Sequence, residues 1–341
     1  AALAWLAALP GAVWALAAAP AWAQGAALFG AALLIMPLPW RARLLALPLT
    51  FPLLMPQAAL IEPGRFEVLA LDVGQGTAVL VRTRGHLLMY DAGPQYSRDS
   101  DAGQRVLLPL LRGRGETRID KLVLSHRDTD HVGGARALFA ALPVREVTSS
   151  LEDSHPLLAA VVGHTRCEAG QSWSWDGVQF DILSPPRTLY GGKDALPGER
   201  ERRIKPNAMS CVLRIGSAQG HVLLTGDIER EQEAALVAAQ GAALRSDVLV
   251  VPHHGSKSSS SAAFLDAVSP RLGIIQAGYR NRFGHPAPEV VARYVERGIV
   301  TLESARCGAW SWPAGDGAGG TCLRETTQRY WRHKGAPSSP P

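Results

Sequence analysis

Short apolar runs that stop at polar turns follow one another along the chain after residue 61. The continuous run Leu122-Val-Leu124 is typical of a strand that a parallel sheet buries on both faces. The pattern predicts strands over residues 66–71, 78–82, 86–90, 121–124, 222–224, 248–251, 272–275 and 321–324. Helices are expected over residues 132–142, 229–240 and 290–297. The sequence therefore indicates two strand-rich halves, each followed by helices, with polar residues at the strand ends.

The first sixty residues follow a different pattern. They contain no Asp or Glu, and prolines divide them into apolar stretches. The stretches 21–37 and 44–60 each have the length of a short membrane span. Arg41 and Arg43 lie between them, and the positive-inside tendency would place this turn in the cytoplasm and the later domain outside it. An alternative is an apolar segment that packs against a separate membrane domain. Because the chain begins with Ala, we expect it to be the end of a longer protein.

Composition adds two constraints. A chain of 341 residues with 47% hydrophobic content is long enough for one large buried core plus an accessory segment, and it does not have the composition of a disordered protein. The net charge of +5 and the isoelectric point of 9.2 favour an anionic partner.

Four cysteines occur without a Cys-X-X-Cys pair, which argues against a structural zinc site. In an oxidising compartment they would form two disulfides, and three connectivities are possible. The pairing we prefer is Cys167 with Cys211 and Cys307 with Cys322. Four buried thiols are the alternative.

The densest chemistry lies directly after the strand at residues 121–124. His126, Asp128, Asp130 and His131 occur within six residues, before an Ala- and Leu-rich helix. Alternating residues of an extended loop project the same way, so His126 and Asp128 would reach one metal ion while the turn aims Asp130 and His131 at another. A solvated polar loop rarely has this composition. The loop therefore predicts a site for two divalent ions.

This loop resembles the pattern His-X-His-X-Asp-His of the metallo-β-lactamase-like hydrolases, with Asp128 where that pattern has its second His. Five further motifs occur in order along the chain: Asp72-Val-Gly-Gln-Gly76, Tyr90-Asp-Ala-Gly93, Leu224-Thr-Gly-Asp227, Pro252-His-His-Gly-Ser256 and Gly284-His-Pro286. Together they resemble the carboxy-terminal hydrolase domain of the ComEC family of inner-membrane DNA-uptake proteins. The resemblance implies an α/β fold, a metallo-β-lactamase-like αββα sandwich, over residues 61–333. Residues 1–60 would then be a membrane-associated remnant, and residues 334–341 a disordered tail.

The resemblance also implies the ligands. The expected metal ligands are His126, Asp128, Asp130, His131, Asp227 and His253. Asp227 would bridge both ions, and His253 would join Asp130 and His131, although His253 and His254 could exchange roles. Asn207 and Ser210 stand where the general fold supplies another His, so one site would be more open and would accept Mn²⁺ or Mg²⁺ as well as Zn²⁺. Four residues are expected to orient the ligands: Asp72, Asp91, Asn207 and Ser210.

The expected reaction is hydrolysis of a phosphodiester by metal-activated water, with Asp227, His254 and His285 as catalytic residues. Arginines and aromatics before His285 suit a nucleic-acid strand, so the expected substrate contacts are Arg280, Arg282, Ser256 and Lys257. For ComEC-like proteins the family implies a nuclease that degrades the non-transported DNA strand. It would face the periplasm at the inner membrane, with single-stranded DNA and the channel domain as partners. The alternatives are an envelope-polymer or nucleotide phosphoesterase and a non-catalytic DNA-binding vestibule.

Overall fold

The computed structural model describes residues 2–7, 9, 12, 16–54, 60–161, 163–190, 204–314 and 319–327. It divides into two compact units, one of Ala1–Leu60 with Leu107–Thr117 and one of Ile61–Val106 with Arg118–Pro341. The tail predicted for residues 334–341 lies outside the described residues.

The helices are α1 (Ala2–Ala7), α2 (Ala21–Ile35), α3 (Trp40–Arg43), α4 (Ala46–Leu54), α5 (Leu108–Gly113), α6 (Thr129–Val132), α7 (Ala135–Ala141), α8 (Arg230–Gln240), α9 (Ala262–Val268), α10 (Pro288–Val295), α11 (Ser304–Cys307) and α12 (Leu323–Thr326). The strands are β1 (Glu67–Ala70), β2 (Val79–Arg82), β3 (Leu87–Tyr90), β4 (Gln95–Ser97), β5 (Ser100–Asp101), β6 (Ile119–Leu124), β7 (Val144–Ser149), β8 (His164–Arg166), β9 (Ser172–Trp175), β10 (Val178–Ser184), β11 (Val212–Ser217), β12 (Gly220–Leu224), β13 (Val248–Val250), β14 (Leu272–Ile275), β15 (Val300–Glu303), β16 (Trp310–Pro313) and β17 (Thr321–Cys322).

The smaller unit contains α1 to α5 and is built around the packing of α2 against α4. Gly30 permits this approach, because a Cβ there would meet the carbonyl oxygen of Ala46 and the Cβ of Leu49, each at 3.2 Å. The stretches predicted as membrane spans form helices of only 15 and 9 residues. No helix within the described ranges is long and apolar enough to cross a membrane.

The larger unit contains two twisted sheets. Within the described residues the first sheet has the order β17-β16-β1-β2-β3-β6-β7-β8, and the second has the order β15-β14-β13-β12-β11-β10-β9. Strands β3, β6, β7 and β8 run parallel in the first sheet, and β12 to β15 run parallel in the second. The remaining pairs are antiparallel. A small hairpin of β4 and β5 stands apart.

The main core lies between the two sheets. Residues such as Val81 and Val123 of the first sheet and Phe180 and Val222 of the second form one buried cluster. The opposite face of the second sheet packs on α8, α9 and α10, where Phe264 and other apolar side chains form a further cluster. These layers confirm the predicted α/β sandwich.

Both disulfides of the preferred pairing form, Cys167 with Cys211 and Cys307 with Cys322, so that prediction is confirmed. All four cysteines belong to the core between the sheets.

Two predicted elements differ from the structure. The helix expected over residues 132–142 is the shorter α7, and α6 ends just before it at Val132; Gly133 and Gly134 between them lie against the backbone of Gln95 and Gly103, where a Cβ would clash. The sequence pattern also favoured a strand over residues 321–324. The strand ends at Cys322, and α12 follows.

Candidate metal centre

The candidate ligands, together with Asp91, which is expected to orient them, lie at the carboxyl ends of four strands, the edge where sheets of this kind place their sites. The metal loop follows β6, and Asp91 follows the neighbouring strand β3. In the second sheet Asp227 follows β12, and the His253-His254 pair follows β13. Each half of the sandwich therefore contributes ligands to one site.

Four side chains form a compact cluster. One ligand atom from each of Asp130, His131, Asp227 and His254 lies within 4.8 Å of the others. The Nε2 atom of His131 lies 3.1 Å from Oδ1 of Asp227. The Nε2 atom of His254 lies 3.3 Å from Oδ2 of Asp130 and 3.5 Å from Oδ2 of Asp227. Two nitrogens and two carboxylates suit a divalent transition metal.

The hydrogen-bonding pattern of these histidines and of Asp227 is the one expected of metal ligands. The Nε2 atoms of His126, His131 and His254 and Oδ1 of Asp227 are buried and lack a hydrogen-bond partner among the described residues. On each ring the other nitrogen is engaged. Nδ1 of His131 lies 2.7 Å from Oδ2 of Asp91, and Nδ1 of His254 donates to the carbonyl oxygen of Gln276 over 2.8 Å. Such contacts fix the ring orientation of a metal-binding His and leave Nε2 for the ion.

Three further candidate ligands, His126, Asp128 and His253, lie near the same Asp227. The Nε2 atom of His126 lies 3.6 Å from Oδ2 of Asp128 and 4.0 Å from Oδ2 of Asp227. The Nε2 atom of His253 lies 3.7 Å from the same oxygen of Asp227. His126 is fully buried, whereas the side chain of Asp128 is 43% exposed, so this group opens towards solvent.

The residues expected to orient ligands differ in their placement. Asp91 is buried and accepts hydrogen bonds from the backbone and hydroxyl of Ser125, both over 2.7 Å. The hydroxyl of Ser210 accepts from the backbone N–H of Asp227 over 3.0 Å. Asp72 instead pairs with the guanidinium of Arg324 at 2.6 Å. Asn207 accepts from the backbone of Ser210 through its carbonyl oxygen, so its contact is a main-chain one.

Electrostatics keep the carboxylates ionised. Burial raises the pKa of Asp130, but the imidazoles of His254 and His131 outweigh this effect and lower that pKa to about 2. Burial acts on Asp227 in the same direction, and His131 and His254 hold the pKa of Asp227 well below its ordinary value. Both groups are therefore in the form that binds metal.

The backbone around the two adjacent histidines is unusual. His253 has φ 49° and ψ 42°, and His254 has φ 54° and ψ 20°. Two successive non-glycine residues in the left-handed region are rare, and each costs about 1–3 kcal/mol. This turn points both imidazoles towards Asp227, an outcome that the sequence alone does not signal.

Of the residues expected to act on the substrate, His285 lies beside a candidate ligand, and the others contact their own neighbours. The ring of His285 lies 5.8 Å from that of His253 between centroids, and Phe283 stacks on His285 at the same separation. Lys257 pairs with Glu289 at 3.2 Å, and the hydroxyl of Ser256 lies 3.2 Å from that of Ser258. Arg280 and Arg282 lie over exposed aromatic rings.

Three polar residues at the site were not singled out from the sequence: Ser125, Ser258 and Glu229. Ser125 lies between Asp91 and the two histidines of the metal loop, with its Oγ 3.0 Å from Nδ1 of His126. Ser258 donates to Glu229 over 3.0 Å and lies 3.2 Å from Nδ1 of His253. The position of Ser125 immediately before the metal loop was the one signal in the sequence.

Comparison with known proteins supports this description. Residues 71–279 match the family model of the Metallo-beta-lactamase superfamily. Competence protein ComA of Neisseria gonorrhoeae is 35% identical over 326 residues, which are 94% of this chain and 43% of that protein. Recombination protein 2 of Haemophilus influenzae is 34% identical over 228 residues, which are 67% of this chain and 26% of that protein. ComE operon protein 3 of Bacillus subtilis is 30% identical, over 71% of this chain and 32% of that protein.

The chain thus spans less than half the length of each of these relatives. The family model covers more than half of the chain, from the end of β1 to the turn after β14. The resemblance to the ComEC family is confirmed by the competence proteins among the relatives. This chain belongs to the metallo-beta-lactamase superfamily, as a domain with ComEC-family homologues.

Proposed function

We propose that this chain is the metal-dependent phosphodiesterase domain of a DNA-uptake channel protein. It would cleave single-stranded DNA and degrade the strand that is not transported. The observation that carries the proposal is the cluster of Asp130, His131, Asp227 and His254 with its unbonded, buried nitrogen and oxygen atoms. Competence and recombination proteins among the relatives support DNA as the substrate.

We assign two divalent ions to the site, Mn²⁺, Mg²⁺ or Zn²⁺. Asp130, His131 and His254 would hold one ion, with Asp227 shared between both. His254 takes this role in place of the expected His253, because its Nε2 is buried beside Asp130, whereas His253 is 21% exposed. His126 and Asp128 would hold the other ion. The ions would supply a water nucleophile at neutral pH and neutralise charge on the phosphoryl oxygens.

The chain's own residues would bind the phosphodiester and assist departure of the leaving group. His285 is half-buried beside His253, and its Nδ1 lacks a hydrogen-bond partner among the described residues. It is therefore available to donate a hydrogen bond to the leaving oxygen. Guanidinium groups bind phosphate in two-pronged geometry, which suits Arg280 and Arg282. Ser256 and Lys257 would contact phosphate from the turn after the histidine pair.

The loop after β14 has the properties of a stacking surface for bases. Tyr279 and Phe283 are 73% and 54% exposed. The guanidinium carbon of Arg280 lies 5.2 Å from the ring centre of Tyr279, and that of Arg282 lies 4.8 Å from the ring centre of Phe283. The Asn281 amide donates to the carbonyl oxygens of Gly278 and His285 and accepts from the backbone N–H of His285, so it links the two ends of the loop. Exposed rings beside cations bind single strands without base specificity.

The membrane association remains part of the proposal. The smaller unit exposes large apolar side chains, including Trp22 at 66%, Phe29 at 61% and Leu47 at 66%. Such a surface suits burial in the inner membrane or against a channel domain of the same longer protein. The two disulfides fit a hydrolase domain that faces the periplasm.

Cleavage assays with the full chain test the proposal. After chelation, single-stranded DNA, duplex DNA and bis(p-nitrophenyl) phosphate are each incubated with Mn²⁺, Mg²⁺ or Zn²⁺. We expect metal-dependent cleavage of single strands that Asp227→Ala abolishes and that Asp153→Ala, at an exposed carboxylate, leaves intact. Hydrolysis of the small phosphodiester without DNA cleavage would favour the envelope-polymer or nucleotide phosphoesterase. DNA binding without any hydrolysis would favour the non-catalytic vestibule.

A further inference from the structure

The ion site formed by His126 and Asp128 is short of nitrogen ligands. Asn207 and Ser210 occupy the interval in which the general fold supplies another His, and neither residue carries a ring nitrogen. The Ser210 hydroxyl accepts from the backbone of Asp227 and lies 3.4 Å from Nδ1 of His126. Asn207 contributes its backbone oxygen to the turn. A site with His126, Asp128 and Asp227 alone would have one nitrogen and two carboxylates.

His253 lies where this missing ligand would be needed. Its Nε2 is 3.7 Å from Oδ2 of Asp227, the oxygen that also lies 4.0 Å from Nε2 of His126. His254 cannot fill the position, because its Nε2 lies beside Asp130 in the other group. Both adjacent rings approach Oδ2 of Asp227, His253 at 3.7 Å and His254 at 3.5 Å, but only His254 also contacts Asp130. The backbone N–H of His253 donates to the carbonyl oxygen of Gly226 over 3.1 Å, which ties this turn to the one that carries Asp227.

His253 is held by a hydrogen bond to Ser258, which in turn bonds to Glu229, as His131 is held by Asp91. Its Nδ1 lies 3.2 Å from the hydroxyl of Ser258, and that hydroxyl donates to Oε1 of Glu229 over 3.0 Å. The same carboxylate oxygen lies 3.6 Å from Nδ1 of His253 itself. A carboxylate behind a ligand His fixes its tautomer and raises its basicity. Glu229 does so for His253 as Asp91 does for His131.

We propose that His253 is the fourth ligand of the ion held by His126 and Asp128, and that Ser258 and Glu229 are the residues that position it. The inference rests on the proposed two-ion site, and it replaces the ligand that the general fold takes from another part of the chain. Its consequence is that the two adjacent histidines each serve a different ion.

Metal binding by the full chain tests this inference independently of DNA cleavage. The chelated protein is titrated with MnCl₂, and bound Mn²⁺ is measured by equilibrium dialysis and by electron paramagnetic resonance. His253→Gly removes the ligand and tolerates the left-handed backbone without strain. Ser260→Gly is the matched control, since Ser260 has φ 56° in the same loop and its hydroxyl contacts Tyr294.

Wild type and Ser260→Gly should bind two Mn²⁺ ions and give the signal of a coupled pair. His253→Gly should retain one ion and give the six-line signal of isolated Mn²⁺. Ser258→Ala and Glu229→Gln should lower the affinity for the ion that His253→Gly loses by about 10–100-fold and leave the affinity for the other ion unchanged. Ser258→Thr keeps the hydroxyl and should retain the wild-type affinity. The Glu229 side chain caps the start of α8, and Gln keeps an oxygen that can do the same, so the melting temperature of the Glu229→Gln variant should stay close to that of wild type.

Two bound ions with wild-type affinity in His253→Gly would overturn the inference, as would a wild-type protein that binds a single ion. Two ions in wild type and one in His253→Gly, without DNA cleavage by either, would uphold the ligand role and refute the proposed nuclease function. The two failures are therefore distinguishable.

Discussion

Asp91→Asn should weaken metal binding, although Asp91 is not itself a proposed metal ligand. Asp91 has φ 57°, a left-handed conformation that Asn adopts readily, so the substitution leaves the backbone unstrained. The carboxylate accepts three hydrogen bonds of 2.7 Å, two from Ser125 and one from Nδ1 of His131. In the variant the remaining oxygen can still accept from the backbone of Ser125. The amide group would face the N–H of His131, where two donors cannot bond.

The cost follows from this lost contact. A buried hydrogen bond to a charged group contributes about 1.5–3 kcal/mol. For a protein of this size each kcal/mol lowers the melting temperature by about 2–4 °C, so the chelated variant should melt about 3–12 °C lower. Removing the support of a ligand His typically weakens metal affinity about 10–100-fold. Thermal unfolding in chelator and Mn²⁺ titration measure the two effects separately.

Asp101→Asn is the matched control, because Asp101 caps a turn by accepting from the backbone of Gln104 over 2.8 Å. It should leave the Mn²⁺ affinity unchanged. If Asp91→Asn also retains wild-type Mn²⁺ affinity, with at most a small change in melting temperature, Asp91 only caps its turn. The proposed support of His131 would then be refuted.

Three further predictions concern other parts of the larger unit. Tyr279→Ala combined with Phe283→Ala should raise the KM for a single-stranded oligonucleotide by about 30-fold or more, since each stacked base contributes about 1–3 kcal/mol. If wild type has the same KM for an abasic oligonucleotide as for a normal one, this prediction is contradicted. Cys307→Ser with Cys322→Ser removes a disulfide that closes a loop of 15 residues, and it should lower the free energy of unfolding by about 3 kcal/mol. Urea titration measures this value, and an unchanged free energy would contradict the prediction. Burial raises the pKa of Asp176, but three hydrogen bonds outweigh this effect and lower that pKa to about 2. The ionised carboxylate therefore stabilises the folded protein fully above the ordinary pKa of Asp, and this stabilisation is lost as the pH falls towards 2. The difference in melting temperature between wild type and Asp176→Asn should therefore narrow from pH 5 downwards, and a constant difference would refute this.

The sequence predicted the strands near the site well, for a physical reason. Strands that are buried on both faces appear as continuous apolar runs, and β6 and β12 deliver their ligands immediately after such runs. The runs place Asp130, His131 and Asp227 at strand ends, and the family resemblance supplied the expectation that they meet, because β6 and β12 belong to different sheets. Which ion each of them would bind remains a prediction.

Other features depend on contacts that no local pattern encodes. Asp72 was expected beside the ligands, yet its partner is Arg324, which lies far along the chain. The directions of His253 and His254 depend on left-handed dihedral angles that histidine rarely adopts, so the sequence could not decide between them. In the first sixty residues the apolar pattern predicted helices of membrane-span length, whereas the helices observed there are 15 and 9 residues long.

Asp227 is the residue on which both ligand groups depend, and the Thr-Gly-Asp turn explains how it reaches them. Its Oδ1 faces His131, while its Oδ2 faces the nitrogens of His126, His253 and His254. Gly226 has φ 54°, and a Cβ there would lie 3.0 Å from the side chains of Ser125 and Ser210. Only glycine lets the end of β12 approach the metal loop of the other sheet this closely. The glycine thus brings a carboxylate from one half of the sandwich between the histidines of both halves, which is the arrangement that a bridging ligand requires.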